Sequence, residues 1–159
     1  MNRLMKTTAL FALLTVAAVP MFAGSAPATL NLTASVSAVC TMTAPTTLDF
    51  GSYDPVVTNA ATAKNETTPG ALSLSCTKGT AYQLGFAAPS GTLSNGAGGT
   101  LNFNLFSDST HATAFGTNVV SGSAASKTAI AVSVYGQLPA NQDVPTGNYT
   151  GTAVATVNY

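Results

Sequence analysis

The sequence predicts an all-β domain built as an antiparallel sandwich or barrel. Apolar residues recur at every second position in several short segments, as expected for strands with one buried face. Thr and Val in these segments favour strands, and Gly and Asn between them favour turns. Beyond the N-terminal residues, no stretch keeps the 3.6-residue period of a helix. Short alternating segments separated by turns are typical of sandwiches and barrels.

Residues 1–28 are predicted to be a cleavable secretory leader. Arg3 and Lys6 precede an apolar run from Ala9 to Ala23. This run is shorter than the roughly 20 residues that a membrane-spanning helix needs. Small residues at 26–28 predict cleavage before Thr29, with a second possible site a few residues earlier. We therefore expect an exported chain, and a retained membrane anchor is the alternative.

The charge of the mature chain argues against a nucleic-acid partner. Without the leader, three lysines stand against five carboxylates, which gives a net charge of −2, and no arginine remains. Binding to nucleic acid draws most of its affinity from cationic side chains on phosphates. We therefore expect no nucleic-acid partner.

Cys40 and Cys76 are the only two cysteines. Disulfides form readily in the compartments that exported proteins enter, so we predict that these two residues pair. Two unpaired thiols are the alternative. A metal site is not predicted, because two cysteines and one distant histidine lack the spacing of a ligand set.

The most regular alternation lies at the start of the mature chain. In residues 29–40, TLNLTASVSAVC, every second residue from position 30 is apolar, which predicts a strand. Residues 71–76 and 81–86 also alternate, and Lys78-Gly79 between them predicts a hairpin. Further strands are predicted at 101–106, 129–135 and 149–159, and residues 46–51 are predicted to be a short extended piece that ends in a turn at Gly51. Residues 52–69 are predicted to be a long irregular connection, and residues 88–100 are predicted to be turns throughout.

The mature chain offers little for catalysis. Its one histidine, His111, lies among Ser, Thr and Ala and is predicted to be a solvated loop residue. The carboxylates are scattered singly, and Asp49 before Phe50-Gly51 is predicted to form a turn with its own backbone. We therefore expect no enzymatic activity and no cofactor.

Several motifs follow one another in a definite order along the mature chain. They are Cys40, Leu48-Asp49-Phe50-Gly51-Ser52-Tyr53, residues 72–82, Val134-Tyr135-Gly136-Gln137-Leu138-Pro139 with Gln142, and residues 147–159. This order resembles the spore coat protein U domain family, which includes subunits of archaic chaperone-usher pili. One departure from the family pattern is Gly151, where an aspartate is common.

This resemblance implies an incomplete immunoglobulin-like antiparallel β-sandwich that is completed by a donated strand. Residues 29–38 would be the N-terminal donor-strand extension and residues 39–159 the pilin domain. The apolar residues of the extension would enter the groove of a neighbouring subunit. The C-terminal strand of the pilin domain would pair with a chaperone strand or a donated strand. The donor residues are Leu30, Leu32, Ala34 and Val36, and the pairing residues are Val154, Thr156, Val157 and Tyr159.

The resemblance also implies partners, a location and a role. The partners would be a periplasmic chaperone, an outer-membrane usher and further copies of identical or related pilins. The chain would be exported through the periplasm to the cell surface as a pilus subunit that supports attachment and biofilm formation. The alternatives are a tip or minor subunit with a ligand- or surface-binding role, and a coat protein of a spore or cell surface.

Overall fold

The computed structural model describes residues 24–159. Most of the predicted leader, residues 1–23 of 1–28, lies outside the described residues. The described residues fall into two units, residues 24–34 and residues 35–159. Residues 24–34 are exposed and form no regular secondary structure.

The second unit is all-β. Over residues 24–159 there is no helix, and therefore none long and apolar enough to cross a membrane. The strands are β1 (Cys40–Thr46), β2 (Lys64–Asn65), β3 (Gly70–Cys76), β4 (Ala81–Phe86), β5 (Ser90–Ser94), β6 (Thr100–Phe106), β7 (Val120–Ser123), β8 (Ile130–Leu138) and β9 (Ala155–Asn158).

The strands form two antiparallel sheets. The larger sheet has the order β1-β3-β8-β6-β5, with β2 also pairing with β8, and the smaller sheet has the order β7-β4-β9. One cluster of apolar side chains from both sheets is buried, including Leu74 of β3, Leu84 of β4 and Val134 of β8. The predicted all-β antiparallel sandwich is therefore confirmed.

The alternation of the strands explains which side chains form this core. Leu101, Phe103 and Leu105 of β6 are buried on one face, as predicted, and Leu72, Leu74 and Cys76 do the same on β3. Phe115, from the connection between β6 and β7, is also buried and contacts Phe86 edge to face, with 5.1 Å between ring centroids.

The predicted disulfide is confirmed. Cys40 and Cys76 are bonded, and they lie opposite each other in the register of β1 and β3. The strand predicted over residues 29–40 is not formed within this chain. Strand β1 begins at Cys40 and ends at Thr46, whereas residues 29–39 form no regular strand.

The predicted hairpin of residues 71–76 and 81–86 is wrong. Both segments are strands, but β3 pairs with β1 and β8, whereas β4 pairs with β7 and β9. The turn at Lys78-Gly79, where Gly79 has a φ of +84°, carries the chain from one sheet to the other. Each strand buries its apolar face in the shared core from its own sheet, so an alternating pattern fits this arrangement as well as a hairpin.

The prediction that residues 88–100 are turns throughout is also wrong. Ser90–Ser94 is β5, which pairs with β6 in a hairpin. The turn itself is confined to residues 95–99, where Asn95 Oδ1 accepts hydrogen bonds from the backbone of Ala97 and Gly99 at 2.9 and 2.8 Å. Ser90, Thr92 and Ser94 share the exposed face of this short edge strand, and the other face carries only Gly91 and Leu93. A single large apolar residue gives too weak an alternation to reveal a strand in the sequence.

The long connection over residues 52–69 is mostly irregular, as predicted, and contains only the two-residue strand β2. Asp49 also behaves as predicted, since its Oδ1 accepts a hydrogen bond from the backbone N–H of Gly51 at 2.9 Å. Gly51 has a φ of +65°, a conformation that glycine adopts easily.

Candidate functional site

An apolar groove lies between the end of β1 and the residues that precede β9. Its narrow part is a cavity of about 190 Å³. Residues 44–50 form one wall and residues 151–153 the other. The floor is formed by core side chains of both sheets, which are Leu72, Phe86, Phe103, Leu105 and Val134.

A wider cavity of about 680 Å³ continues the groove. It lies between residues 47–53 and residues 144–151, and it shares Leu48, Phe50 and Gly151 with the narrow part. Among the described residues that line the two cavities, Asp49 is the one charged side chain. An occupant of the groove would therefore be matched by apolar side chains rather than by charge.

The strands beside the groove are the outer strands of their sheets. Within residues 24–159, β1 pairs with β3 alone, and β9 pairs with β4 alone. Cys40 and Met42 of β1 are half-buried, but Ala44 and Thr46 at the same parity are exposed where they line the groove. Backbone groups along such an edge are available to a further strand.

Two local features keep the walls of the groove in place. Pro45, which has no N–H to donate, lies where the pairing of β1 with β3 shifts register. On the other wall, a Cβ at Gly151 would stand 2.8 Å from Leu93 Cδ2 and 3.1 Å from Thr92 O. The glycine therefore lets residues 149–151 approach β5, where Thr150 and Ser94 exchange two backbone hydrogen bonds of 3.0 and 2.8 Å.

The predicted pairing residues lie on β9 and beside it. Val157 is half-buried opposite Leu84 of β4, whereas Val154 and Thr156 lie on the other face and are exposed. Tyr159 follows the strand and is also exposed. The regular strand, Ala155–Asn158, is shorter than the predicted 149–159.

The predicted donor residues are all exposed. Leu32 and Val36 expose 84% and 85% of their surface, and Leu30 and Ala34 are also exposed. Large aliphatic side chains are usually buried, so a row of exposed ones is unusual. The donor assignment itself stays a prediction.

Sequence reasoning missed the wall formed by residues 44–50 and the segment 144–149. Leu48 and Phe50 do alternate, but a short apolar segment gives no sign that it borders a groove. Pro45 was the available signal, because proline in a strand indicates an edge.

The prediction that His111 is solvated is wrong. Its Nε2 lies 2.7 Å from Glu66 Oε2, and the side chains of the pair are only 7% and 6% exposed. Glu66 Oε2 also accepts a hydrogen bond from the backbone N–H of Gly136 at 2.9 Å. The pair thus joins the β6–β7 connection to β8, a structural role that local sequence could not reveal because the partner lies 45 positions away.

The described part of the chain contains no group of three or more His, Cys, Asp or Glu residues that could hold a metal ion. Its residues form a β-sandwich with an apolar groove at its edge.

Comparison with known proteins places the chain in a family. The family model of the Spore Coat Protein U domain matches residues 26–156. The chain belongs to this family. Protein U of Myxococcus xanthus is 34% identical, in a match that covers 88% of this chain and 88% of that protein. Membership supports a structural surface protein of the coat or pilus type.

Proposed function

We propose that this protein is a structural subunit of a surface pilus, assembled by the chaperone-usher pathway through donor-strand exchange. The groove of one subunit would receive residues 30–36 of the next. The observation that carries the proposal is the match between an apolar groove and an exposed, alternating apolar segment in the same chain. Strand addition to a sheet edge is an established mode of recognition, and pilins are a known example of it.

The length of the segment suits the edge of the smaller sheet. Seven extended residues span about 20 Å at 3.4 Å per residue. Residues 30–36 could therefore run beside residues 151–157, of which 151–153 line the groove and 155–157 belong to β9. The alternation would direct Leu30, Leu32, Ala34 and Val36 to the floor and the intervening polar residues to solvent.

The expected energy is adequate for a stable assembly. Burial of Leu30, Leu32 and Val36 at about 1.5 to 3 kcal/mol each gives about 5 to 9 kcal/mol, before the entropic cost of association. Main-chain hydrogen bonds along β9 would add to this. The persistence of such a fibre would also draw on slow dissociation.

In the cell, a periplasmic chaperone would cover the groove before an outer-membrane usher exchanges it for the next subunit. The pilus would then support attachment and biofilm formation at the cell surface.

A coat protein is the second candidate, because the matching family model is that of a spore coat protein domain. The same strand exchange would serve both.

Substitution of Leu32 tests the proposal. Leu32→Asp would place a carboxylate against an apolar floor, where an unpaired charge is strongly disfavoured. We expect it to abolish the ladder of oligomers that surface material from the native host gives on an unboiled denaturing gel. Thr33→Asp is the matched control, since position 33 has the opposite parity, and it should leave the ladder intact.

Deletion of residues 29–38 provides the stricter version. The subunit should still accumulate with its chaperone, but the ladder should disappear. A ladder that survives this deletion would refute donor-strand exchange.

A further inference from the structure

Thr77 binds residues 37 and 39, where the N-terminal segment joins the domain. Its backbone N–H donates to Val39 O at 2.9 Å, and its Oγ1 accepts from the backbone N–H of Val39 at 3.2 Å. The hydroxyl also donates to Ser37 O at 3.2 Å. Because Cys40 lies opposite Cys76 in the register of β1 and β3, these bonds continue the ladder by one pair beyond the disulfide.

This contact matters because a subunit's own N-terminal segment competes for its groove with the segments of other subunits. A segment attached to its own domain has an effective concentration in the millimolar range, well above that of free subunits. If residues 30–36 could enter the groove of their own domain, that reaction would precede polymerisation.

Chain length does not prevent such self-filling. If the chain reversed its direction at residues 37–39, residues 30–36 would run antiparallel beside β1. These seven residues would span about 20 Å, which is also the length of the seven residues of β1. They would therefore reach the narrow part of the groove, which Ala44 and Thr46 border. Self-filling would then require only that the chain reverse its direction at residues 37–39.

The sequence of residues 33–40 opposes that reversal. Tight two-residue hairpin turns need positive φ, which Gly, Asn and Asp tolerate and β-branched residues do not. Residues 33–40 contain none of these turn formers and no proline, and Val39 is β-branched. Among residues 24–159, positive φ outside glycine occurs only at His111 and Asn141.

We propose that Thr77 is a positioning residue that prevents the subunit from filling its own groove. It pairs with Val39 just beyond β3 and binds the carbonyl oxygen of Ser37, so the residues needed for a reversal are not free to form one. Donation is thereby directed to another copy of the chain. This inference rests on the proposed strand exchange and adds the reason why the exchange occurs between molecules.

The test measures uptake of a labelled synthetic peptide of residues 29–38. The exported chain is unfolded with its disulfide intact and diluted to nanomolar concentration with excess peptide, so that contact between chains is rare. Three chains are compared: wild type, a turn variant with Ser37→Asn and Ala38→Gly, and the turn variant with Thr77→Val added. Thr41→Val is the control, because it removes a hydroxyl near Ser75 O on the same strand pair without touching residues 37–39.

Wild type and Thr41→Val should take up close to one peptide per chain. In the turn variant with Thr77→Val, the chain's own segment should occupy the groove and lower peptide uptake about tenfold, the effect expected from the loss of one or two hydrogen bonds. The turn variant alone should show a smaller fall, because the hydroxyl of Thr77 still binds residues 37 and 39. An equal fall in both turn variants would overturn the role of Thr77.

Unchanged uptake in both turn variants, with full uptake by wild type, would overturn the role of Thr77 and leave the proposed function standing. If wild type takes up no more of this peptide than of one carrying Leu32→Asp, the proposed strand exchange fails, and the inference fails with it. A simple loss of stability at Thr77 would not lower uptake selectively in dilute, folded chains.

Discussion

Single carboxylates organise the loops around the sandwich. Asp108 accepts hydrogen bonds from the Thr110 hydroxyl and from the backbone N–H groups of Thr113 and Ala112. These bonds, led by that of Thr110, hold the pKa of Asp108 well below its usual value. The same loop places His111, at a φ of +56°, against Glu66. One short side chain therefore shapes a loop that makes a long-range contact.

The lowered pKa of Asp108 predicts a pH-dependent contribution to stability. Because its pKa is lower in the folded protein than the ordinary 3.8, the carboxylate stabilises the fold above that pH, and the contribution is lost as pH falls towards the folded pKa. Thermal unfolding should therefore show a gap between wild type and Asp108→Asn that is steady at neutral pH and narrows below about pH 4.

Asp143→Asn serves as the control for another exposed carboxylate, and it should produce a smaller gap at neutral pH. A gap for Asp108→Asn that stays constant through the acid range would contradict the role assigned to these hydrogen bonds.

At the scale of elements, period-2 alternation located β3, β4, β6, β8 and part of β9, but it missed β1, β2, β5 and β7 and did not reveal which strands pair. The spans of β3, β4 and β6 could be predicted because alternation is local. The pairing of β3 and β4 could not, since strands in one sheet and strands in facing sheets have the same period. The Glu66–His111 contact was equally inaccessible, because it depends on how two distant connections meet. The groove likewise combines residues 44–50 and 151–153, which no local pattern relates.

The close approach of β4 to the β6–β7 connection gives a prediction at this scale. A Cβ at Gly85 would lie 2.0 Å from Gly116 O and 2.4 Å from the backbone carbon of Thr117. Backbone would have to move, and the hydrogen bond from Phe86 N–H to Gly116 O would be strained. We expect Gly85→Ala to reduce the free energy of unfolding by about 1 to 3 kcal/mol or more, as measured by denaturant titration.

Gly116→Ala is the matched control in the same contact. Its Cβ would meet only Val119 Cγ2, at 3.5 Å, which is an ordinary van der Waals distance. Equal effects of the two substitutions would show that close packing does not explain the glycine at position 85.

For the whole molecule, the two ends of β1 have different roles in the proposed assembly. Cys40, where the N-terminal segment joins the domain, lies at one end with Thr77. Ala44 and Thr46, which border the groove, lie towards the other end. A subunit that donates at one end and accepts near the other makes a head-to-tail contact, and repetition of such contacts produces an open fibre rather than a closed dimer.

Cross-linking from position 32 within the fibre tests this central claim most directly. A photoreactive phenylalanine analogue replaces Leu32, isotopically light and heavy chains are mixed before assembly, and cross-linked peptides are identified by mass spectrometry. We predict links that join light to heavy chains and end on residues 44–50 or 151–157. Links confined to single chains, or links to surfaces away from the groove, would contradict the account.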